Sequence, residues 1–301
     1  MGVDDMRKYT KKPWEPYRDA EGKEIIQISF SGGRTSAYLT YHMMQRYKDE
    51  YSFVVTFANT GREHPATLEY VHQCDVQLGF NTVWLEAVVH PEVGKACTHK
   101  IVTFETACRD GSVFEEVIKK YGIPNHSFAH CTERLKLWPM RSYLKSLGLK
   151  ERKIRTAIGI RADETRRVNE KNAATRKIIY PLVDWGVDKE EVLDFWRRMP
   201  FDLQIPEHLG NCVGCVKKSV GKHALEYRDM PEAFDWLIEM EAKYSLHRTI
   251  PERPRVFHRD HRSTLQLIEV INLLDVNNLP PSRSEGGCSE SCEVYGTGAP
   301  L

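Results

Sequence analysis

The sequence predicts an α/β protein in which a parallel sheet is flanked by helices and followed by a helical, cysteine-bearing C-terminal part. Short apolar runs at 25–30, 53–57 and 82–85 read as buried strands, and each is separated from the next by a turn and a stretch with helical spacing. Strand, turn and helix repeating at this pitch are typical of βαβ units, which build parallel sheets. Beyond residue 185, amphipathic stretches follow one another without clear strands between them.

The helices are predicted from apolar residues that recur every three or four positions. They are expected at 35–47, 63–77, 113–120, 134–147, 189–198, 231–244 and 264–274. Gly122 and Gly148 follow two of these stretches and are expected to end them, because glycine is common just past a helix C-terminus. A further strand is expected at 155–160.

Composition limits the class of protein. Of 301 residues, 41% are apolar and 28% are charged, which is ordinary for a globular chain. The net charge is +1, so charge neither indicates nor excludes a nucleic-acid partner. No apolar run approaches the ~18 residues of a membrane span, and residues 1–22 lack the apolar core of a signal peptide. We therefore expect a cytoplasmic protein without a membrane partner, in which the eight cysteines are core thiols, metal ligands or redox groups rather than disulfides.

The strongest functional signal follows the first strand and opens the first helix. It reads Ser31-Gly32-Gly33-Arg34-Thr35-Ser36. Two glycines let a backbone approach an anion closely, and the N–H groups and dipole of a helix N-terminus favour negative charge. The hydroxyls and the Arg34 guanidinium add donors. The spacing differs from that of the Walker loop. These residues are therefore predicted to bind phosphate.

A second polar loop, Asn59-Thr60-Gly61, follows the second strand. Ligands of open α/β sheets bind at the carboxyl ends of the strands. We therefore expect this loop to contact the same nucleotide as the first one.

These motifs resemble those of the PP-loop superfamily, which contains the ATP pyrophosphatases and the phosphoadenylyl-sulfate (PAPS) reductases. The first loop resembles the PP-loop Ser-Gly-Gly-Lys-Asp-Ser, and the second resembles the Asp-Thr-Gly segment of PAPS reductases. Three later segments resemble motifs of the PAPS-reductase-like group that includes the DNA-sulfur-modification enzymes: 131–139, 159–167 and 180–185. The resemblance implies a Rossmann-like fold and an adenine nucleotide, either ATP or PAPS, as ligand.

Three cations within these motifs suit a polyanionic ligand: Lys136, Arg161 and Arg167. Arginine pairs with phosphate or sulfate through two parallel hydrogen bonds, whereas lysine acts as a point charge. Lys136 and Arg161 are predicted to act in catalysis by stabilising charge on the reacting group, and Arg167 to bind the nucleotide. With ATP we expect Mg²⁺ to assist.

Cys212 and Cys215 form a CxxC, which in a cytoplasmic protein indicates a metal site or a redox dithiol. The resemblance implies that they hold a [4Fe–4S] cluster together with Cys131, and zinc is the alternative. Cys288 is the predicted fourth ligand. Cys292 is the candidate tail nucleophile, although the two tail cysteines could exchange roles or both be redox-active. Cys74, Cys97 and Cys108 have no motif around them and are expected to be core thiols.

Three functions remain open, and they share sulfur or nucleotidyl chemistry on an adenine nucleotide. The first is an ATP pyrophosphatase that adenylates and thiolates a nucleic-acid acceptor. The second is a sulfonucleotide reductase that makes sulfite with a thiol electron donor. The third is a non-catalytic nucleotide-sensing subunit of a modification complex. The expected organisation is an N-terminal extension (1–22), a PP-loop domain (23–185), a helical region with the CxxC (186–279) and an irregular cysteine-containing tail (280–301).

Overall fold

The computed structural model describes residues 15–150, 153–246 and 254–275, so the predicted tail with Cys288 and Cys292 lies outside the described residues. One six-stranded sheet runs through the described part, in the order β4-β3-β2-β1-β5-β6. Its strands are β1 Glu24–Ser29, β2 Tyr51–Ala58, β3 Val83–Val88, β4 Thr98–Val102, β5 Arg155–Ile158 and β6 Ile178–Ile179. All neighbouring strands pair in parallel except β4, which is antiparallel to β3.

Helices cover the sheet and make up most of the regular structure beyond it. They are α1 Arg34–Tyr47, α2 Pro65–Leu78, α3 Ser112–Tyr121, α4 Trp138–Ser146, α5 Glu170–Arg176, α6 Pro181–Asp184, α7 Lys189–Arg197, α8 Val220–Asp229, α9 Ala233–Tyr244 and α10 Thr264–Asn272. A π-helical turn, Thr132–Leu137, leads directly into α4. Short 3₁₀ turns occupy Ala162–Arg167, Glu207–Leu209 and Arg259–His261.

The predicted fold class is confirmed: the protein is α/β, with a largely parallel sheet and a helical part after it. The edge strand β4 was not predicted, because Thr98–Val102 has no apolar alternation and its Lys100 and Ile101 are exposed. Helix α8 was also missed, since its first turn contains Gly221 followed by the polar residues Lys222 and His223. The domain boundaries stay a prediction.

Strand order determines where a ligand cleft can open. From β1 the chain moves outward through β2, β3 and β4, and then returns to place β5 on the other side of β1. The connections leaving β1 and β5 therefore diverge at this point. Such a switch point leaves a crevice at the carboxyl ends of the two strands, and nucleotides bind there in doubly wound folds.

The two largest apolar clusters of the described residues lie in different parts of the fold. The first lies on the sheet around Ile28 and Phe30 and includes Trp196 of α7. The second joins α3, α8, α9 and α10 around Phe234 and Leu237. In the described ranges no helix is both long enough and apolar enough to cross a membrane.

Candidate functional site

The loop after β1 depends on its two glycines in different ways. Gly32 has φ +78°, and a Cβ there would lie 2.8 Å from Thr67 Cγ2, so the fold itself requires glycine at this position. Gly33 has an ordinary φ of −101° and is the N-cap of α1. A Cβ on Gly33 would meet nothing closer than Ser31 Oγ at 3.7 Å. Its missing side chain is therefore not explained by packing within the chain.

The N-terminus of α1 is left open to a ligand. No side chain caps it, and its first turn contains no acidic residue. Hydroxyls order the loop instead, because Ser36 Oγ donates to Gly33 O at 2.9 Å and accepts from Ser31 N at 3.2 Å. A 14-residue helix without a cap presents backbone N–H groups and the positive end of its dipole. This is the local geometry that favours an anion.

A cleft of about 350 Å³ opens over this loop, which is within the range of small-molecule pockets. Its lining includes the loops after β1 and β5, the start of α7 and the segment 203–211. Five cations line it: Arg34, Lys136, Arg161, Arg167 and Lys189. The structure thus brings Lys136, Arg161 and Arg167, predicted from distant motifs, to the predicted phosphate loop, Ser31–Ser36.

Arg34 does not point freely into this cleft. Its Nε and Nη2 donate to the two carboxylate oxygens of Asp202 at 2.6 and 2.9 Å, and Nη2 also donates to Leu203 O. The guanidinium therefore fastens the segment after α7 to the phosphate loop. Its predicted contact with phosphate stays a prediction, and this charge is already balanced by a carboxylate.

Arg161 cross-links the loops after β1 and β5. It is 3% exposed and donates to both oxygens of Asp163 at 2.9 Å, while its Nη1 donates to Thr35 Oγ1 at 3.2 Å. The hydrogen bonds from Arg161 lower the pKa of Asp163. Arg167 Nη1 donates to the buried Glu164 at 2.6 Å. These carboxylates hold the two guanidinium groups in fixed positions beside the phosphate loop.

Sequence reasoning missed Lys189, although Asp188 before it is a recognisable helix cap whose side chain accepts from Glu191 N. Lys189 Nζ lies 3.3 Å from Glu207 Oε2, and both residues line the cleft. No local sequence pattern indicates that the start of α7 lies beside the phosphate loop, because the two segments are distant in sequence and meet only in the folded chain.

The Asn59-Thr60-Gly61 loop lies outside the lining of this cleft. Asn59 is fully buried, and its Nδ2 donates to Glu86 Oε1 at 2.7 Å and to Cys108 O at 2.9 Å. Gly61 packs so tightly that a Cβ would lie 2.7 Å from Cys108 Sγ. The nucleotide-binding role predicted for this loop stays a prediction, and the contacts of Asn59 and Gly61 are with Glu86 and Cys108.

That second cavity collects the described cysteines of the predicted metal site. Cys131, Cys212 and Cys215 line it together with Thr60 and Lys136. Lys136 also lines the cleft, so one side chain borders both spaces. The other walls are mainly apolar: Phe114, Leu135, Val213, Val216, Trp236, Leu237 and Phe257.

The CxxC turn is docked on the loop after β2. Cys212 forms an isolated β-bridge with Glu63, and its Sγ lies 3.3 Å from Thr60 Oγ1. Val213 N donates to Arg62 O at 2.7 Å. The Asn59–Glu63 segment therefore fixes the position of Cys212, which explains how two motifs far apart in sequence meet in one site.

Buried charged groups also hold the CxxC turn in place. The carboxylate of Glu226 is 0% exposed and accepts from Gly214 N at 2.9 Å, Lys218 Nζ at 2.6 Å and His223 Nδ1 at 3.2 Å. Burial disfavours its ionisation, but the hydrogen bond from His223 and the charge of Lys218 outweigh burial and lower the pKa of Glu226 to about 2. No sequence motif predicted this network.

Metal binding at the cysteines stays a prediction. In the ranges that the structure describes, no three His, Cys, Asp or Glu side chains form a group that could hold a metal ion. The predicted fourth ligand Cys288 and the predicted nucleophile Cys292 lie outside those ranges. Cys74 and Cys97 are buried as expected for core thiols, and burial raises the pKa of both. Cys108 is half-buried.

The fold and the cleft define an α/β protein with a cation-lined cleft at the switch point of a largely parallel sheet. No protein family model matches the chain. The nin region protein ORF290 of Escherichia phage lambda, described as uncharacterized, is 34% identical over an alignment 284 residues long that covers 90% of this chain and 96% of that protein. The chain belongs to the family of this phage protein.

A solved structure with some likeness is the phosphoadenylyl-sulfate (PAPS) reductase of Candida auris in a phosphate complex. It is 18% identical and aligns with 59% of this chain and 74% of its own, with a TM-score of 0.36. Similarity at this level bears on neither ligand nor activity.

Proposed function

We propose that the protein binds the phosphate groups of an adenine nucleotide in the cleft and acts as a PP-loop enzyme of the PAPS-reductase type. The observation that carries the proposal is Gly33, which lines the cleft at the uncapped N-terminus of α1 although its own packing would accept a side chain. A glycine that packing does not require fits a backbone that a ligand approaches closely.

The remaining cleft residues suit the same ligand. Backbone N–H groups at the start of α1 would hold one phosphate group, and Ser31 and Thr35 supply hydroxyl donors beside it. Arg161, held in place by Asp163, would contribute fixed positive charge without reorganising during the reaction. These groups stabilise charge that accumulates on phosphate or sulfate oxygens.

Lys136 supports sulfur chemistry in particular. Its side chain borders both the cleft and the cavity of Cys131, Cys212 and Cys215, so a nucleotide and the thiols would share this one cation. Two reactions fit this arrangement: ATP cleavage to AMP and pyrophosphate with transfer to an acceptor, and reduction of PAPS to sulfite. The first needs an acceptor, for which a nucleic acid is one candidate, and the second needs a thiol electron donor.

Nucleotide binding is tested with Gly33→Ala. The added methyl group has room within the chain but would occupy the space of the phosphate, so we expect ATP affinity to fall by about tenfold or more with unchanged thermal stability. Isothermal titration with ATP and with PAPS measures this. Gly221→Ala on α8 is the control, because a Cβ there meets nothing within 4 Å and the residue does not line the cleft. Equal nucleotide affinity in the Gly33→Ala variant and the wild type would remove the phosphate-loop assignment.

The reaction is tested by incubating the anaerobically purified protein with ATP and with PAPS in parallel. Pyrophosphate and AMP from ATP would establish the nucleotidyl branch, and sulfite from PAPS would establish the reductase. Nucleotide that binds without either product would favour the sensing subunit.

We also propose that Cys131, Cys212 and Cys215 contribute to a thiolate-bound group, with Cys288 as the fourth ligand. The support is that three thiols line one largely apolar cavity, and thiolates are the ligands of [4Fe–4S] clusters and, alternatively, of zinc. Such a cluster, when bound, would position or tune the neighbouring nucleotide site.

Iron, sulfide and zinc content after anaerobic reconstitution tests this proposal. Cys131→Ser, Cys212→Ser, Cys215→Ser and Cys288→Ser should each lose the bound metal, whereas Cys97→Ser should retain it, because Cys97 is buried and does not line the cavity. Equal metal content in Cys212→Ser and wild type would contradict the assignment.

A further inference from the structure

Arg34 is the cation within the predicted phosphate loop, and α7 and the segment after it hold both its backbone and its side chain. Its carbonyl oxygen accepts from Nε1 of the buried Trp196 at 3.0 Å. Its Nε and Nη2 donate to the two carboxylate oxygens of Asp202 at 2.6 and 2.9 Å, and Nη2 also donates to Leu203 O. These contacts give the guanidinium one defined orientation.

One part of the Arg34 guanidinium is left over by these contacts. They use the N–H of Nε and both N–H groups of Nη2, so the N–H groups of Nη1 remain. Among the residues that the structure describes, none accepts a hydrogen bond from Nη1. The side chain is 27% exposed and lines the cleft, so Nη1 is the donor that Arg34 retains for a ligand there.

Asp202 is placed to hold Arg34 rather than to touch a ligand. It is not among the described residues that line the cleft. Its Oδ1 also accepts from Leu203 N at 2.7 Å, so the backbone orients the carboxylate that grips the guanidinium. Arginine suits this double task, because its planar guanidinium offers separate edges to two anions, whereas a lysine ammonium is a point charge.

We propose that Asp202 is a positioning residue for nucleotide binding: it holds the Arg34 guanidinium so that Nη1 donates to an anionic group of the nucleotide. The inference rests on the proposed nucleotide-binding function and names the pair that orients one of its charges. A side chain that is already held in place loses little freedom when a ligand binds. By charge alone, however, the Asp202 carboxylate opposes an anion. The two roles therefore predict opposite effects of removing it.

Isothermal titration of the full chain with ATP separates these two roles. Asp202→Asn keeps the size of the side chain but removes its charge and one of the two acceptors of the fork. We expect ATP affinity to fall by about tenfold, because the guanidinium is no longer fixed. Asp202 is 26% exposed, so the neutral amide should leave the fold intact, and thermal unfolding checks this.

A double substitution separates positioning of Arg34 from general support of the cleft wall. Arg34→Gln should lower ATP affinity by about tenfold or more, since it removes both the donor and the charge. In that background, Asp202→Asn should change ATP affinity by less than about twofold, because no guanidinium is left to position. A carboxylate that only supports the wall would weaken binding equally with and without Arg34.

Asp194→Asn is the matched control. It removes the same charge from an exposed carboxylate of α7 that pairs with Arg197, and Asp194 is not among the described residues that line the cleft. ATP affinity should stay at the wild-type value.

Four results would overturn the inference. Three of them leave the proposed nucleotide-binding function standing: unchanged or higher ATP affinity in Asp202→Asn, unchanged affinity in Arg34→Gln, and an equal loss from Asp202→Asn with and without Arg34. The fourth is a wild type that binds neither ATP nor PAPS, and this result removes the proposed function along with the inference.

Discussion

The cleft and the cysteine cavity adjoin one another at Lys136, yet the protein builds them in different ways. The cleft centres on one contiguous loop after β1, and charged pairs such as Arg161–Asp163 surround it. The cavity is assembled from several distant segments, has mainly apolar walls and rests on the fully buried Glu226. The backbone donors of the predicted anion site therefore come from one contiguous loop, whereas the walls of the cavity come from segments that are distant from one another in the chain.

The largest effect is expected at the base of the cavity. Glu226→Gln leaves Lys218 buried without its carboxylate at 2.6 Å, and breaking a buried ion pair costs about 3–5 kcal/mol. Urea unfolding should show this loss. The nucleotide affinity of the protein that remains folded should stay near the wild-type value, because neither residue lines the cleft.

A Glu226→Gln variant as stable as wild type would contradict the role of this network. A large loss of nucleotide affinity in the folded variant would show instead that the cleft and the cavity are not independent.

The next effect concerns the fold of the phosphate loop. Gly32→Ala places a methyl group 2.8 Å from Thr67 Cγ2 and 3.1 Å from Phe57 Cε2, at a φ of +78° that L-residues rarely adopt. Strain and overpacking together should cost about 2–3 kcal/mol in the free energy of unfolding. Gly79→Ala is the control, since it has φ +68° but nothing within 4 Å of the added Cβ.

Gly79→Ala should therefore lose only the backbone part of the cost, about 1 kcal/mol. Equal losses in the two variants would mean that packing against Thr67 and Phe57 does not fix the loop.

Acid should destabilise the folded protein through the buried His258. Burial, and then the charge of His223, lower its pKa to about 3 from an ordinary value of 6.5. The folded chain keeps His258 neutral while the unfolded chain binds a proton below pH 6.5. The free energy of unfolding therefore decreases as the pH falls from 6.5 toward 3, by up to about 1.4 kcal/mol for each pH unit.

The measurement is the urea midpoint of wild type and His258→Gln over this pH interval. The variant should depend less steeply on pH than wild type, because it lacks the titrating imidazole. Parallel pH profiles for the two proteins would show that His258 does not contribute this dependence.

The smallest effect is expected on the exposed face of α7. Arg197 and Glu190 are 60% and 73% exposed and lie 3.8 Å apart. Exposed pairs contribute little, so Arg197→Ala should change the free energy of unfolding by less than about 0.5 kcal/mol, and nucleotide binding should not change. A larger loss in thermal or urea unfolding would mean that α7 depends on its solvent-facing charges.

Much of the fold was predictable because its signals are local. The run at 25–30 followed by two glycines and a helical pattern gave β1, the loop and α1 in their observed order. The edge strand β4 escaped prediction because an exposed edge does not require apolar alternation. The π-helical geometry of Thr132–Leu137 was not predicted, because the apolar spacing of these residues also fits an ordinary α-helix.

The site was only partly predictable. Lys136, Arg161 and Arg167 were singled out by their motifs, and the structure places all three in the cleft. Lys189 and Glu207 belong to no motif and reach the cleft only because α7 and the segment after it pack against the phosphate loop. The predicted place of the Asn59 loop beside the nucleotide stays a prediction, and its contact with Cys212 through Thr60 was not foreseen.

The sequence alone determined the Ser31–Ser36 loop, its position between a strand and a helix, and the residue types that favour an anion there. Residues adjacent in the chain set those features through their own backbone preferences. Only the tertiary structure decided which other loops meet the phosphate loop. That depended on β5 pairing with the side of β1 opposite β2, which placed the loop of Arg161 at the cleft. The loop after β2 contacts the CxxC turn through Thr60. Pairing between distant strands depends on the packing of the whole chain, and no local pattern encodes it.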